Sequence, residues 1–445
     1  MRPSFVFDQN KCTGCQACQL ACVIENELEP DASWRAIHTF NERHYPGVPL
    51  FHITLACNHC AEPTCMAACP ALAYSNDSET GAVITDENKC IGCRYCTWAC
   101  PYDAPKFDRA KGVISKCTFC NHRISNGSQP ACVELCPTGA LKFDRLPDAE
   151  IVNDSPGFTA TDMGPSIKII PLRESRASPE VTAPITSPAH LTEADSLPSR
   201  IAFRSEWPLA VFTLVGAVLF SLVTGVVTTG LQVSPVVFSA TSVAAIGLTT
   251  IHLGRRERAW RATLNLVHSW LSREIVFFSL FVPLSLGYLL LSREAAWPGW
   301  LAVTLGAGAV LSMDMVYKFA CKPRPKVHSA GVFLTGLFLL GVMTLNPVLA
   351  GLTGSLKLVL YLWRKTVLAA NAKSVRPIAS AIRLGVGFGV PLVLSLLDPI
   401  QTYHLIVASV LLGESVDRAE FYAEIEIMTP ERQMALDLDA EIRRM

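Results

Sequence analysis

The pattern of apolar and polar positions changes character near residue 200. Before it, apolar residues come in short runs such as Val83-Ile84-Thr85 and Ala140-Leu141-Lys142-Phe143, which suit the strands of small hairpins. Almost every uncharged apolar run longer than 15 residues falls after Trp207. Residues 207–254 contain no Asp, Glu, Lys or Arg, enough for two membrane-crossing helices broken at the polar turn Gln232-Val-Ser-Pro235. Further spans are predicted at Ile275–Ser292, Gly299–Tyr317, Ala330–Leu349, Leu352–Trp363, Ile378–Leu397 and Thr402–Val416, which makes eight. The sixth is short and holds Lys357. The segment carrying Trp260, Leu264, Val267 and Leu271, with Trp270, is amphipathic at helical spacing and is predicted to lie in the membrane interface. Between the halves, 156–204 is rich in Pro, Ser, Thr and Ala without periodicity, the composition of a linker.

Composition sharpens this division. The 445 residues balance 38 Lys and Arg against 38 Asp and Glu, which argues against a nucleic-acid binder or a polybasic membrane-surface protein. Of 17 cysteines, all but Cys321 fall between Cys12 and Cys136, in four quartets. Cys12, Cys15, Cys18 and Cys22 are spaced C-x2-C-x2-C-x3-C, and Cys90, Cys93, Cys96 and Cys100 repeat that spacing before Pro101. Cys57, Cys60, Cys65 and Cys69 follow C-x2-C-x4-C-x3-C-P, while Cys117, Cys120, Cys132 and Cys136 open the second gap to eleven residues.

Three closely spaced thiolates followed by a fourth at the head of a helix suit an iron-sulfur cubane, whereas a structural zinc site needs two pairs of ligands. A disulfide framework belongs to secreted proteins, and Cys12 already sits where the apolar core of a signal peptide would be. In paired ferredoxin repeats the fourth cysteine of each run ligates the other run's cluster. Spacing alone leaves open whether the quartets pair sequentially or as a nested set. So many clusters in about 150 residues leave little room for an apolar core, so thiolate-iron bonds must supply much of the folding free energy. A row of one-electron centres carries electrons between a donor and an acceptor that never meet.

The run Cys90-Ile-Gly-Cys-Arg-Tyr-Cys-Thr-Trp-Ala-Cys-Pro-Tyr-Asp-Ala-Pro105, with Cys57-Asn-His-Cys60 and Lys11-Cys-Thr-Gly-Cys15, resembles the iron-sulfur subunit of dimethyl sulfoxide reductase-type molybdoenzymes. The second half resembles the eight-helix quinol-oxidising anchor of the same complexes, through Glu206-Trp-Pro-Leu-Ala-Val-Phe-Thr213, His252-Leu-Gly254, Arg258-Ala-Trp-Arg-Ala262, Ser272-Arg-Glu-Ile275 and Gly413-Glu414 with Arg418 and Phe421-Tyr422. It departs at Asp417, where that family usually has Gly, and at the sixth span. The resemblance implies nested pairing and four [4Fe-4S] clusters. Their ligands would be Cys12, Cys15, Cys18 with Cys136; Cys22 with Cys117, Cys120, Cys132; Cys57, Cys60, Cys65 with Cys100; and Cys69 with Cys90, Cys93, Cys96.

The expected fold is therefore an α+β ferredoxin-like polyferredoxin domain at 1–155, the linker at 156–204, an all-α transmembrane bundle of about eight helices at 205–424 and a C-terminal tail at 425–445. The resemblance also implies menaquinol or ubiquinol as donor and a separate molybdopterin catalytic subunit as partner. Quinol oxidation releases protons, and His252 ends the second span on the cluster side. The competing reading makes His252 a helix cap. Arg383 and Glu414 are charges within apolar spans and join His252 as a candidate quinol site, unless they pair with each other. His404 has no second histidine in a span, so no haem is predicted; Cys321 is expected to be unligated.

Orientation follows from Lys and Arg in short loops. Arg200, Arg204, Arg255, Arg256, Arg258, Arg261, Arg273, Lys318, Lys322, Arg324, Lys326, Arg364, Lys365, Lys373 and Arg376 share one face, and Arg293 stands alone on the other. Clusters and both termini are thus predicted on the cytoplasmic face of the inner membrane. Two directions of flow compete: out to an S-oxide or N-oxide reductase in anaerobic respiration, or from a sulfite-dehydrogenase-like partner into quinone. A cluster-regulated transporter or sensor is the alternative of another class, and the lack of inverted-repeat broken helices speaks against it.

Overall fold

In the computed structural model, residues 1–29, 32–173, 197, 201, 203–291, 295–318, 328–370, 375–425 and 427–444 are described here. They form two compact units, one of residues 1–198 with 427–445 and one of 199–426.

The first unit is organised by a strand that precedes the first cysteine quartet. β1 (Arg2–Asp8) alternates so that Phe5 and Phe7 are buried, at 1% and 0% exposure. Helix α1 (Ala17–Glu25) carries Cys18 and Cys22 of the first quartet, and β2 (Ala36–Phe40) pairs with β3 (Phe51–Leu55) before the second. Short helices α2 (Thr64–Ala68) and α3 (Tyr95–Ala99) carry the second and third quartets. Between them β4 (Tyr74–Asn76) and β5 (Val83–Thr85) form a hairpin, as β6 (Lys106–Asp108) and β7 (Val113–Ser115) do after α3. In the fourth quartet Cys120 caps α4 (Asn121–Ile124) and Cys132 lies in α5 (Ala131–Glu134). β8 (Leu141–Leu146) then pairs antiparallel with β1, with Phe5 opposite Phe143. That pairing returns the segment after the last quartet to the side of the strand that precedes the first.

Two expectations for this unit need correction. The linker predicted at 156–204 begins later, because β9 (Ile167–Ile170) adds to β1 as a parallel strand with Phe5 opposite Ile167. Phe158, Ile167 and Ile169 are buried in the same core. The remaining linker positions 174–196 lie outside the described residues. Likewise, 425–445 is more than a tail: its last helix (Pro430–Arg444) buries Met434 and Leu438 in the core that holds Phe5 and Ile53. Asp437 Oδ2 accepts from the Gly157 amide at 2.6 Å. Gly157 has φ +81°, and a Cβ there would lie 2.8 Å from Met434 Cγ, so only glycine fits under this helix. Met434→Ala should therefore lower the stability of this unit by about 2–5 kcal/mol. An unfolding midpoint unchanged by the substitution would return the segment to an appended tail.

The second unit is helical. Helix α6 (Phe203–Thr229) ends before the predicted turn, and α7 (Pro235–Ile251) starts with Pro235 behind its cap Ser234, whose hydroxyl accepts from the Val237 amide. Then follow α8 (Trp270–Leu290), α9 (Trp297–Val316), α10 (Val332–Met343) and α11 (Pro347–Ala370). The short helix α12 (Pro377–Ala381) runs into a π-helical segment, Ile382–Gly389, which continues as α13 (Val390–Leu397) before α14 (Tyr403–Glu424). The C-terminal helix Pro430–Arg444 is α15. Phe220, Phe281, Met313, Leu339 and Val410 lie in the core of this bundle.

Among the described residues, four helices are long and apolar enough to cross a membrane: Glu206–Thr229, Trp270–Leu290, Trp297–Val316 and Pro377–Leu397. A fifth is reached if α7 and the 3-10 segment Arg256–Thr263, bent by 105° from it, count as one. The expected eight are not met on length and composition. Helix α10 has only 12 residues, and α11 and α14 carry several ionised side chains. The predicted amphipathic interfacial helix is also corrected: the 3-10 segment stops at Thr263, and Trp270 begins α8, although Trp260 and Val267 are exposed.

Candidate metal centres and a buried charged network

Quartets one and three fold alike because their sequences demand the same unusual backbone. Cys12-Thr-Gly-Cys-Gln16 and Cys90-Ile-Gly-Cys-Arg94 place Gly14 at φ +67° and Gly92 at φ +68°, then Gln16 at φ 62° and Arg94 at φ 60°. Each left-handed residue caps the helix that presents the next two cysteines. A Cβ on Gly14 would stand 2.8 Å from the His52 ring, so the glycine is also fixed by packing.

The sixteen thiols gather into four groups. One cavity is lined by Cys69, Cys90, Cys93 and Cys96. A second is lined by Cys57, Cys60, Cys65 and Cys100, and a third by Cys22, Cys117, Cys120 and Cys132. The thiolates acting most strongly on Cys12 are those of Cys18, Cys136 and Cys15, which makes the fourth group. The groups stand in a row. Cys132 feels Cys18 of the first, Cys117 feels Cys57 of the next, and buried Tyr74 feels both Cys96 and Cys65.

The donor set fits iron-sulfur clusters. Four thiols surround a volume: among the described residues no three Cys, His, Asp or Glu side chains converge as on a single ion. Burial pushes the Cys22 thiol up to about 12, opposed by Arg35 and reinforced by Cys132 and Cys120, so such a thiolate needs bound cations. Amide groups already point at sulfur: His59 N to Cys57 Sγ at 3.5 Å, Ala73 N to Cys69 Sγ at 3.4 Å, and Gly92 N and Ile114 N to Cys90 Sγ at 3.4 Å. A buried side-chain donor on a cavity wall, Asn58 Nδ2, has no hydrogen-bond partner among the described residues, and Arg35 bonds to the Cys132 thiol.

Two buried cations among the groups carried no signal in the cysteine spacing. Lys116 is 2% exposed and donates to Val83 O, to Cys117 O at 3.1 Å and to Cys57 Sγ at 3.5 Å. Arg35 is 1% exposed and donates through Nη1 to Thr54 Oγ1 at 3.2 Å. Burial would lower the Arg35 pKa, yet Cys132, Cys18, Cys117 and Cys22 hold it above its ordinary value. A lone Arg or Lys in a cysteine-rich segment is the sequence sign of either.

In the helical unit the structure joins two of the three candidate quinol residues. Arg383 Nη2 meets Glu414 Oε1 at 2.8 Å, both fully buried. A Cβ on Gly413 would collide with Gly387 Cα, so the π segment and α14 touch backbone to backbone there. Lys357 of the sixth predicted span binds Glu414 Oε2 at 3.0 Å, and Asp417 binds Arg364 at 3.1 Å and Arg383 at 3.4 Å. Glu420 binds Arg364 at 3.0 Å and Lys365 at 2.7 Å, and Glu424 completes the stripe with both cations. Four carboxylates along one face of α14 thus meet four cations. His252 stands apart from this network, as the C-cap of α7, which packs on α6, α8 and the 3-10 segment.

Arg383 and Glu414 pair with each other, the alternative that the sequence left open for them. The network corrects one expectation. Arg364 and Lys365 lie inside α11 at 5% and 7% exposure, so they are ion-pair partners and leave the tally of loop cations. Cys321, Lys322, Arg324, Lys326, Arg200, Arg293 and Lys373 lie outside the described residues.

Comparison with known proteins fits the thiol groups. Residues 48–146 match the 4Fe-4S dicluster domain family. The B component of the anaerobic dimethyl sulfoxide reductase of Escherichia coli (strain K12) is 36% identical over 197 residues, spanning 41% of this chain and 96% of that protein. Thiosulfate reductase electron transfer subunit PhsB of Salmonella typhi is 39% identical over 148 residues, 32% of this chain and 76% of that protein. The B component of the sulfite dehydrogenase of Allochromatium vinosum is 34% identical over 171 residues, 33% of this chain and 71% of that protein. With its quartets in the same first unit, the protein belongs to the family of the iron-sulfur subunits of anaerobic dimethyl sulfoxide reductases.

Proposed function

We propose that this chain is an electron-transfer subunit fused to its own membrane anchor, passing electrons between membrane quinol and a molybdopterin catalytic subunit. The observation that carries the reading is the row of four thiol groups, each suited to one [4Fe-4S] cluster. The nested sets place Cys12, Cys15, Cys18 and Cys136 at one end of the row. Cys15 there is exposed, and so are the apolar side chains of Leu20, Ile24 and Leu135 nearby in the sequence, which suits docking of the catalytic partner. The clusters supply one-electron steps, while the protein spaces them and keeps water from the inner thiolates.

In the helical unit, His252 takes a proton from menaquinol or ubiquinol as its electrons leave. A helix C-terminus favours the imidazolium so formed. His252→Ala should abolish reduction of the clusters by quinol while leaving reduction by dithionite intact. Unchanged quinol kinetics would make His252 a cap only.

The partner's preferred reaction is reduction of an S-oxide or N-oxide, as the names of the dimethyl sulfoxide reductase relatives suggest. Reverse flow into quinone is the second reading, favoured by the likeness to the B component of sulfite dehydrogenase and by the cytoplasmic clusters that loop cations predict. With Arg364 and Lys365 removed, thirteen cations still face one on the opposite side. A cytoplasmic reporter should be active when fused at Met445 and inactive at Ala295. The reverse pattern would place the clusters outside and favour the S-oxide reductase.

A further inference from the structure

We infer that Arg35 is a shared counter-cation for two neighbouring clusters, those of Cys12, Cys15, Cys18 with Cys136 and of Cys22, Cys117, Cys120 with Cys132, and that it raises the reduction potential of both. This deepens the electron-transfer reading above and rests on it.

The residue is placed between the two thiol groups. Arg35 lines the cavity of Cys22, Cys117, Cys120 and Cys132, where its guanidinium bonds to the Cys132 thiol. Its Nη1 donates to Thr54 Oγ1 at 3.2 Å, and that hydroxyl stands 3.5 Å from Cys18 Sγ of the other group. The guanidinium carbon lies 4.5 Å from the centroid of the buried Phe5 ring, an apolar wall that offers it no counter-charge. No carboxylate forms an ion pair with Arg35 among the described residues.

A permanently charged, fully buried guanidinium without a carboxylate is strongly unfavourable unless something anionic faces it. A cubane held by four thiolates is such an anion, and reduction adds one more negative charge to it. The cation therefore binds the reduced cluster more strongly than the oxidised one, and the low dielectric of the site strengthens the difference. Each cluster accepts one electron from its neighbour and passes one on; Arg35 neither gains nor loses a proton. Lys116 is a different case, because its ammonium is already bonded to Val83 O, Cys117 O and Cys57 Sγ.

The test uses the full chain, purified without oxygen, in the variants Arg35→Gln and Arg35→Lys. Iron is counted and each cluster is titrated potentiometrically by electron paramagnetic resonance. In Arg35→Gln the equilibrium constant for reduction of the two flanking clusters should fall about tenfold, about 59 mV for one electron. The clusters on Cys57 and Cys69 should not move, and Arg35→Lys should retain most of the wild-type values. Full iron with unmoved potentials, or an equal shift in all four clusters, would overturn the inference. Should Arg35→Gln lose iron, Arg35→Lys decides: potentials close to wild type support a charge effect, and a tenfold fall shows that bonding to Thr54 was responsible. A wild-type chain without clusters would sink the electron-transfer reading itself, whereas four intact clusters unmoved by Arg35→Gln sink only this inference.

Discussion

Replacing Cys136 by Ser should abolish the cluster whose other ligands are Cys12, Cys15 and Cys18, at the opposite end of the cysteine-rich segment. Iron should fall from about sixteen to about twelve atoms per chain. The long reach is a consequence of the sheet. β8 follows Cys136 directly and pairs with β1, so Asp8 N donates to Ala140 O at 2.8 Å and the first quartet starts beside the last. Partial burial would raise the Cys136 pKa, but the amides of Leu141, Ala140 and Thr138 and the Thr138 hydroxyl bring it below the ordinary thiol value. Such a thiol yields its proton more readily to a metal, whereas serine offers a harder oxygen with a far higher pKa. If resonance spectra showed damage only to the cluster of Cys117, Cys120 and Cys132, the nested assignment would be wrong, and so would the order of the electron path built on it.

The thiol groups were legible because ligand spacing is a local property: a turn that presents three cysteines and a helix head that presents a fourth are written within each quartet. What the spacing left open was pairing at long range, and that depends on strand register between β1 and β8. The isolated cations Arg35 and Lys116 could not be found this way. Their roles follow from tertiary burial beside thiols distant in sequence. The α-helical half shows the same limit differently. Hydropathy placed the helices from Trp207 onward, yet it treated Lys357 as a flaw in a weak span and Asp417 as a departure from a family pattern. Both are members of one network, with Lys357 at 0% and Asp417 at 0% exposure. A charge in an apolar helix reads as an error until its partner on another helix is known. β9 was missed for a simpler reason: four residues of strand are lost in a Pro- and Ser-rich neighbourhood.

Arg364→Met is expected to destabilise the helical unit by about 3–5 kcal/mol, since it removes one partner from a buried set of charges. Arg364 binds Asp417 at 3.1 Å, Glu420 at 3.0 Å and Glu424 at 3.3 Å, more carboxylates than any other cation in the network. Lys365 can still hold Glu420 and Glu424, at 2.7 and 3.2 Å. Asp417 keeps only Arg383 at 3.4 Å and the Ser329 hydroxyl at 2.9 Å, so the largest part of the cost should reside there. Removing that carboxylate as well should restore stability. The double variant Arg364→Met, Asp417→Ala should therefore be more stable than the sum of the two single changes allows, by about 0.5–3 kcal/mol of coupling. Thermal unfolding in detergent, with all four proteins under one set of conditions, gives the cycle. Strict additivity would mean that the two residues do not share a charge balance.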